Sequence, residues 1–520
     1  MADQHQDETN PRRQLSASTM LRSARPSLSG WILPGSVLVF CCASCALLIA
    51  QQARNLFWPS EVGYGDFYVF HTVRHFQQTG VIYQDVARDV PATYGPMLYT
   101  VLAVPGRFFT GENPLIGPRL IVLAAFLLCA LLAVSITRRL IPHRKVWLWS
   151  VPLALSFASM SDWLLQLRGD FMAILFSLIA IRLLLARRAL SVALLAGVCA
   201  GFATQFKFVY VAALAAGLLW LAACRRWKAL AVFAFGGALT SGGIYVFFVL
   251  REPQLLDNVL ALRTPVVEFL GLCKIIRRIV AEPVALLGLA TLPFLAWRLL
   301  GRWTLVVSFV VISFCIAAIT GLQAGANVNY FFEALFGLVP LAAFATLKLR
   351  RSNYAVAGLF LSGLLVINLA VPVGMEAFRT ARTLPATLAE GHRKARFFRA
   401  AFQDRKVLSF VPSATFFAPE VVLSDPFLAS YMERLGKLDL HPLAGRIRAQ
   451  VFDLIVTSRE PASYRGIDLV SPTLRPAIRE AYEPFCQMGG VVISVRRNSV
   501  EPSTKRLVEL GCDATTDLPR

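Results

Sequence analysis

A chain of 520 residues with a mean hydropathy of +0.59 and 56% hydrophobic residues is too apolar for a water-soluble protein and fits one that crosses a membrane several times. The formal charge of +21 does not mark a nucleic-acid binder, because the basic residues stand in short clusters between apolar runs, as cytoplasmic loops do. Ten cysteines form no full metal-ligand set, the one C-x-x-C interval, Cys42 to Cys45, lying inside an apolar run; Cys41, Cys42, Cys45, Cys129, Cys199, Cys224 and Cys315 read as small apolar residues. Cys486 and Cys512 fall in polar sequence and can pair if they meet an oxidising compartment.

Residues 1–30 form a polar tail with Arg12, Arg13, Arg22 and Arg25, expected in the cytoplasm. The run from Trp31 to Ala50 is long enough to span a bilayer and longer than most signal-peptide cores, so it reads as a retained anchor. Ten further apolar runs follow, near 117–137, 146–161, 170–186, 189–205, 208–223, 229–249, 281–298, 303–321, 331–347 and 353–372. The expected architecture is a polytopic α-helical membrane protein of about eleven transmembrane helices over residues 31–372. With the N-terminus inside, the inner loops hold fourteen Arg and Lys and no acid. An odd number of spans places residues 373–520 outside.

Two outer loops are long. The first, 51–116, contains an amphipathic stretch at Phe67–Gln78 and a piece too short to span, Met97–Val104, expected to be interfacial or re-entrant. The second, Arg251 to Val280, carries Arg251, Arg263, Lys274, Arg277 and Arg278 against the positive-inside trend. These residues face either lipid phosphates or solvent. Beyond residue 373 the chain turns polar, and short apolar runs at Val407–Val411, Val421–Leu423, Phe452–Thr457 and Val491–Val495 alternate with helical stretches at Phe427–Leu435 and Pro442–Val451. This pattern predicts a small extracytoplasmic α/β domain.

All twelve acids between Trp31 and Pro372, namely Glu61, Asp66, Asp85, Asp89, Glu112, Asp162, Asp170, Glu252, Asp257, Glu268, Glu282 and Glu333, fall in or beside outer loops on this threading. Acids contribute little to topology, so their sorting points to a site built of carboxylates at the outer face. The densest group is Gly63-Tyr64-Gly65-Asp66-Phe67-Tyr68, then Gly80-Val81-Ile82-Tyr83-Gln84-Asp85, then Pro91-Ala92-Thr93-Tyr94-Gly95-Pro96-Met97-Leu98-Tyr99. Carboxylates can activate a hydroxyl and aromatic rings can stack on sugars. The structural alternatives are an Asp66 that caps the next helix and an interfacial belt of Tyr83, Tyr94 and Tyr99.

That order of residues resembles the first periplasmic loop of bacterial GT-C glycosyltransferases, the group that includes protein O-mannosyltransferases and aminoarabinose transferases. Three further segments resemble it: Leu167-Arg168-Gly169-Asp170, with Gly where the family has Pro; Thr204-Gln205-Phe206-Lys207-Phe208, with a displaced Lys; and Gly325-Ala326-Asn327-Val328-Asn329-Tyr330-Phe331-Phe332-Glu333. The resemblance covers most of residues 31–372 and reaches the tail only through Leu423–Phe427 and Phe452–Val456. It implies transfer of a sugar from a polyprenyl-phosphate donor to an acceptor hydroxyl on a lipid, glycan or protein. Asp66 takes the role of base, and Arg168 and Lys207 form a clamp for the leaving phosphate. Asp85, Asp170 and Tyr94 belong to the sugar site, with a divalent cation possible between Asp66, Asp85 and Asp170. Asn329 and Glu333, one helical turn apart, could line a cavity together.

Each residue also has a plainer reading. Arg168 and Asp170 could be an interfacial ion pair, Lys207 could snorkel to lipid headgroups, and Asn329 and Glu333 could bond between helices. At the level of function the alternatives are a transporter or flippase for a lipid-linked glycan, a polymerase or ligase of such glycans, and a scaffold without activity. A transporter needs polar groups near the midplane of several spans; here the acids gather at one face.

Overall fold

A computed structural model describes residues 32–63, 65–85, 91–106, 113–143, 146–161, 163–186, 189–261, 269–298, 302–323, 326–349, 370–459, 463–464, 467–497 and 502–514. The apolar runs are helices: α1 Ile32–Phe57, α4 Ile116–Leu140, α5 Trp147–Leu155, α6 Asp170–Leu184, α7 Leu190–Phe206, α8 Ala212–Ala223, α9 Trp227–Arg251, α12 Pro283–Arg298, α13 Arg302–Gly321 and α14 Phe332–Leu349. Among the described residues five segments are long and apolar enough to cross a membrane: Gly35–Phe57, Ile116–Leu140, Trp227–Arg251, Arg302–Gly321 and Val328–Leu347. The chain is an integral membrane protein. The expected run at 353–372 lies almost wholly outside the described residues.

Between α1 and α4 stand two short helices, α2 Asp66–Thr79 and α3 Pro96–Gly106. The second is the expected short element. It is tucked in rather than laid on a surface, since Leu98, Tyr99 and Leu102 are all fully buried. Two helices fill the second long loop, α10 Gln254–Ala261 and α11 Phe269–Val280. The helix α11 is strongly amphipathic: Leu272, Ile275 and Ile279 turn inward, and Phe269 and Leu270 turn out.

Small residues let α7 and α9 touch along their backbones. A Cβ on Gly197 would lie 2.1 Å from the Phe233 carbonyl oxygen, and one on Gly236 2.6 Å from that of Leu194. Without water between them, apolar helices gain most from this kind of close contact.

The 32-residue helix α15, Val371–Phe402, packs along α1 and leads into the tail, with Gly391 seated under Trp58. In the tail, the short helix α16 Pro412–Thr415 follows strand β1 Val407–Ser409; β1, β2 Leu454–Ser458, β5 Tyr482–Met488, β6 Val491–Arg496 and β7 Asp513–Ala514 form one sheet in the order β1-β2-β6-β5-β7, and β3 Ser463–Tyr464 pairs with β4 Ile467–Asp468 in a second. Only the β1–β2 pair is parallel. Successive strand residues face opposite sides. Ile455 joins a cluster with the helices α17 Pro426–Arg434, α18 His441–Arg448 and α19 Leu474–Ala481, and Leu454 and Val456 join Phe397, Phe398 and Phe402 of α15. Cys486 and Cys512 form a disulfide, Cα atoms 5.7 Å apart, tying β5 to the turn before β7.

Two expectations for the tail need correction. Val421–Leu423 is not a strand but an entry segment stopped by Asp425, which caps α17 through the Leu428 amide at 2.9 Å. Strand β5 was not expected, because Glu483 and Pro484 interrupt its apolar pattern.

Candidate active site

The described parts of five loops converge at one end of the bundle: 58–63 and 65–66 after α1, 80–85 and 91–95 between α2 and α3, 156–161 and 163–169 before α6, 207–211 after α7, and the 3-10 turn Val328–Phe331 before α14. Glycines let their backbones meet. The Gly95 amide donates to the Phe206 carbonyl at 3.3 Å, and a Cβ on Gly95 would stand 2.0 Å from the Gln205 oxygen. A Cβ on Gly169 would stand 2.6 Å from the Phe206 oxygen. The Gly that replaces the family's Pro therefore fits a contact that a ring would block.

Asp66 is the first residue of α2 and is 1% exposed. Gly65, in the left-handed region at φ 99°, turns the chain so that the carboxylate points away from its own helix. The side chain does not cap α2. Its Oδ1 accepts from the Leu167 amide at 2.9 Å, and its Oδ2 from the amides of Val62 at 3.1 Å and Gly63 at 3.4 Å. Burial raises its pKa above the ordinary carboxylate range, opposed by the charge of Arg119, the amides of Leu167 and Val62, and Arg168. A carboxylate offers about four acceptor positions; among the described residues three are filled, and one on Oδ1 is left.

The second centre is Asp170, at the start of α6 and 2% exposed. Its Oδ1 accepts from Lys207 Nζ at 2.8 Å and from the Tyr210 hydroxyl at 2.7 Å, and Asn329 Nδ2 lies 3.2 and 3.3 Å from its two oxygens. Lys207 turns inward, with its ammonium 4.2 Å from the Tyr330 ring centre, so it does not snorkel. The charge of Arg168 acts on both carboxylates. Its Nε donates to Gln166 Oε1 at 2.8 Å and its guanidinium stacks 4.5 Å over Trp163. Tyr94, 8% exposed, lies in the field of Arg168 and Lys207, and burial raises its pKa.

The structure thus brings together Asp66, Tyr94, Arg168, Asp170, Lys207 and Asn329. Asp85 differs from them in being exposed, on the loop after α2. Asn329 and Glu333 have different partners. Asn329 bonds Asp170, whereas Glu333 Oε2 accepts from the Ser313 hydroxyl at 3.2 Å. Tyr83 and Tyr99 are no interfacial belt, being 1% and 0% exposed. The Tyr83 hydroxyl donates to the Tyr94 carbonyl, and that of Tyr99 pairs with the hydroxyl of Tyr68. Among the described residues no three His, Cys, Asp or Glu side chains converge on a metal position. With Asp170 filled by an ammonium and Asp66 bonded by three backbone amides, the donor set does not fit the divalent cation suggested for Asp66, Asp85 and Asp170.

Several acids and one arginine escaped the sequence reading as individuals. Arg119, in the first turn of α4 and fully buried, donates to the carbonyls of Trp58 and Ser60 beside Asp66; a lone Arg inside an apolar run was the available signal. Glu252 takes the amides of Ile82 and Tyr83, each at 2.8 Å, and Asn258 that of Ala92 at 2.6 Å, so α10 and the end of α9 hold segments 80–85 and 91–95. Arg251 Nη2 donates to the Gly80 carbonyl at 2.8 Å. Glu282 takes the Ser159 amide at 2.5 Å. Much of the acid sorting is explained by these ties between loops.

Glu61 differs. Its Oε2 is shut off from solvent with no hydrogen-bond partner among the described residues. Burial raises its pKa well above the usual range, and the charges of Asp66 and Asp425 add to this. It faces a cleft of about 380 Å³ lined also by Arg54, Asn55, Trp58, Thr387 and Ser413. The last two belong to α15 and the tail.

No family model matches the chain, and no curated protein sequence matches it. Solved structures do. The ArnT aminoarabinose transferase of Cupriavidus metallidurans bound to undecaprenyl phosphate aligns at a TM-score of 0.58 with 13% identity, over 91% of this chain and 99% of that one. Its apo form gives 0.55 and 13%, over 89% and 98%. The apo oligosaccharyltransferase of Archaeoglobus fulgidus gives 0.54 and 13%, over 90% and 74%. At such identities the likeness is one of fold, and the fold is that of the GT-C membrane glycosyltransferases.

Proposed function

We propose that this chain is a membrane glycosyltransferase that moves a sugar from a polyprenyl-phosphate donor to an acceptor hydroxyl at the outer face of the cytoplasmic membrane. The observation that carries this reading is a buried carboxylate, Asp66, bonded to the Leu167 amide in the segment that carries Arg168 and leads to a second polar centre, Asp170 with Lys207. They lie at one end of a GT-C bundle, a fold whose solved example ArnT holds undecaprenyl phosphate.

The chemistry requires little of the protein beyond placement and charge. The acceptor oxygen attacks the anomeric carbon and its proton passes to Asp66 Oδ1. The bond from that carbon to the phosphate oxygen breaks, and the phosphate leaves with the electron pair. Arg168 is the leading phosphate partner, because its planar fork suits phosphate and Lys207 is already held by Asp170. Lys207, Asp170 and Asn329 then shape the floor of the sugar site beside Tyr94. The cleft at Glu61 is the approach for the acceptor, and it draws the tail into acceptor choice.

In the same reading residues 1–30 are cytoplasmic, residues 31–372 form the catalytic domain of about eleven spans with its outer loop 51–116, and residues 373–520 are an extracytoplasmic α/β domain. The Cys486–Cys512 disulfide supports that side for the tail, since such bonds persist in oxidising compartments.

The test is reconstitution of the purified protein with a panel of labelled polyprenyl-phosphate sugars and a membrane lipid extract as acceptor pool. Protein-dependent transfer of label from one donor is expected. If no donor is bound or consumed, the reading fails.

A further inference from the structure

At the end of the bundle opposite Asp66, a second polar cleft has no part in the proposed transfer. The helix α4 runs 25 residues from the site end, a length of about 37 Å, and its last turn carries Arg138 and Arg139. The helix α6 runs beside it in the same direction and carries Arg182 in its last turn. These three arginines, with Leu131, Val134 and Ser135, line a cleft of about 450 Å³.

Two of the guanidiniums are held in place by neutral groups. Arg182 Nε donates to Ser135 Oγ at 2.8 Å, and Arg139 donates through Nε and Nη2 to the carbonyls of Leu185 and Ala186 at 3.2 and 3.0 Å. Capping helix carbonyls accounts for part of Arg139, but not for the convergence of Arg138 and Arg182 on the same space. No carboxylate lines the cleft among the described residues.

The approach to the cleft is apolar. Leu120, Leu127, Leu128 and Leu131 are exposed on one face of α4, at spacings that keep them in a stripe ending at Val134 and Arg138. In a membrane protein such a stripe faces acyl chains. A ligand that fits both parts has a hydrocarbon tail along the leucines and a negative phosphate at the arginines.

We propose that this cleft binds one anionic phospholipid, its acyl chain along Leu127–Leu131 and its phosphate between Arg138 and Arg182. Arg suits the phosphate because it bonds it bidentately.

The test uses the full chain in detergent after exhaustive delipidation. Phosphatidylglycerol, phosphatidylcholine and inorganic phosphate are titrated separately, and binding is read by native mass spectrometry and by the unfolding temperature. One tightly retained phosphatidylglycerol that raises the unfolding temperature is expected, with phosphatidylcholine and phosphate each at least about tenfold weaker. Arg138→Gln paired with Arg182→Gln should remove that preference. Arg138→Gln alone, at an exposed helix end, should weaken it about tenfold and serves if the pair does not fold. Equal binding of the two lipids, equal stabilisation by phosphate alone, or unchanged phosphatidylglycerol binding in the variants would overturn the proposal.

Discussion

Asp66 Oδ1 accepts the Leu167 amide at 2.9 Å, a bond between residues 101 positions apart. It fastens the first outer loop to the loop that carries Arg168. The proposed base and the proposed phosphate partner are thereby fixed on one frame. A base held by three backbone donors needs little rearrangement when the proton arrives, which is the condition for electrostatic preorganisation.

The first prediction concerns Asp66→Asn. The mutant amide can still present its oxygen to Leu167, but its nitrogen then faces the amides of Val62 and Gly63, donor against donor. Asn therefore disturbs the fold as well as the chemistry, contrary to what a simple helix cap would show. Turnover should fall by about 10²–10⁴-fold, with a lowered unfolding temperature in detergent. Asp85→Asn, at an exposed position, should leave both near normal. Normal turnover in Asp66→Asn at wild-type expression would remove the base from this position.

The second follows from the direction of the Asp66 pKa. A base works deprotonated, and burial holds this carboxyl above the ordinary value. Lowering the pH should therefore abolish activity at a higher pH than a free Asp, whose pKa is about 3.9. The acidic limb of kcat/KM against pH is the measurement. A limb at or below the ordinary Asp value would contradict it.

The bundle was legible because long apolar runs and charge-sorted loops leave few ways to thread a bilayer. Ten of the eleven runs contain described helices, though the one in 146–161 is only Trp147–Leu155, five segments among the described residues have the length and hydropathy of a span, and the eleventh run falls mainly outside the described residues. Which residues cluster was partly legible: Asp66, Arg168, Asp170, Lys207 and Asn329 sit in short motifs that the fold brings together. What the motifs could not give was side-chain direction. Nothing local says that Asp66 turns from its own helix to a loop 101 residues away, or that Lys207 faces inward. The role of Glu252 was hidden for the same reason, since its partners Ile82 and Tyr83 lie 170 and 169 residues away.

The third prediction concerns the buried pair. Lys207 and Asp170 are 2.8 Å apart with side chains 11% and 3% exposed. Removing one partner strands a charge, at a cost of about 3–5 kcal/mol, while removing both together costs far less. Lys207→Met should therefore destabilise strongly, and Asp170→Asn with Lys207→Met should recover much of the loss. Unfolding in mixed micelles measures all corners of the cycle. Additive losses would mean the two side chains are not paired.

The fourth joins the disulfide to topology. Cys486 and Cys512 enclose a segment with a sequence separation of 26, and closing a loop of that size contributes about 3 kcal/mol. Cys486→Ser with Cys512→Ser should leave the bundle folded and make the tail more sensitive to protease. Reporter fusions after Ser409 and after Arg144 should lie in opposite compartments. A shared compartment would undo the placement of the tail outside.

The last prediction separates the two cations proposed at the donor phosphate. Arg168 is fixed from the side and below, by Gln166 at 2.8 Å and by the Trp163 ring. Lys207 is committed to Asp170. If Arg168 meets the phosphate, Arg168→Ala should lose about 1.5–3 kcal/mol of donor binding, the range for a hydrogen bond to a charged group, or roughly ten- to a hundredfold in affinity. Arg168→Lys should not restore it, because an ammonium neither stacks on Trp163 in the same way nor bonds phosphate through a fork. Lys207→Met should weaken donor binding chiefly through lost stability, so its effect should track its unfolding temperature while that of Arg168→Ala should not. Titration of a labelled polyprenyl-phosphate sugar into each variant, alongside thermal unfolding, gives both axes. Full donor affinity in Arg168→Ala would move the phosphate away from this arginine and leave it as a tie between the Asp66 and Asp170 loops.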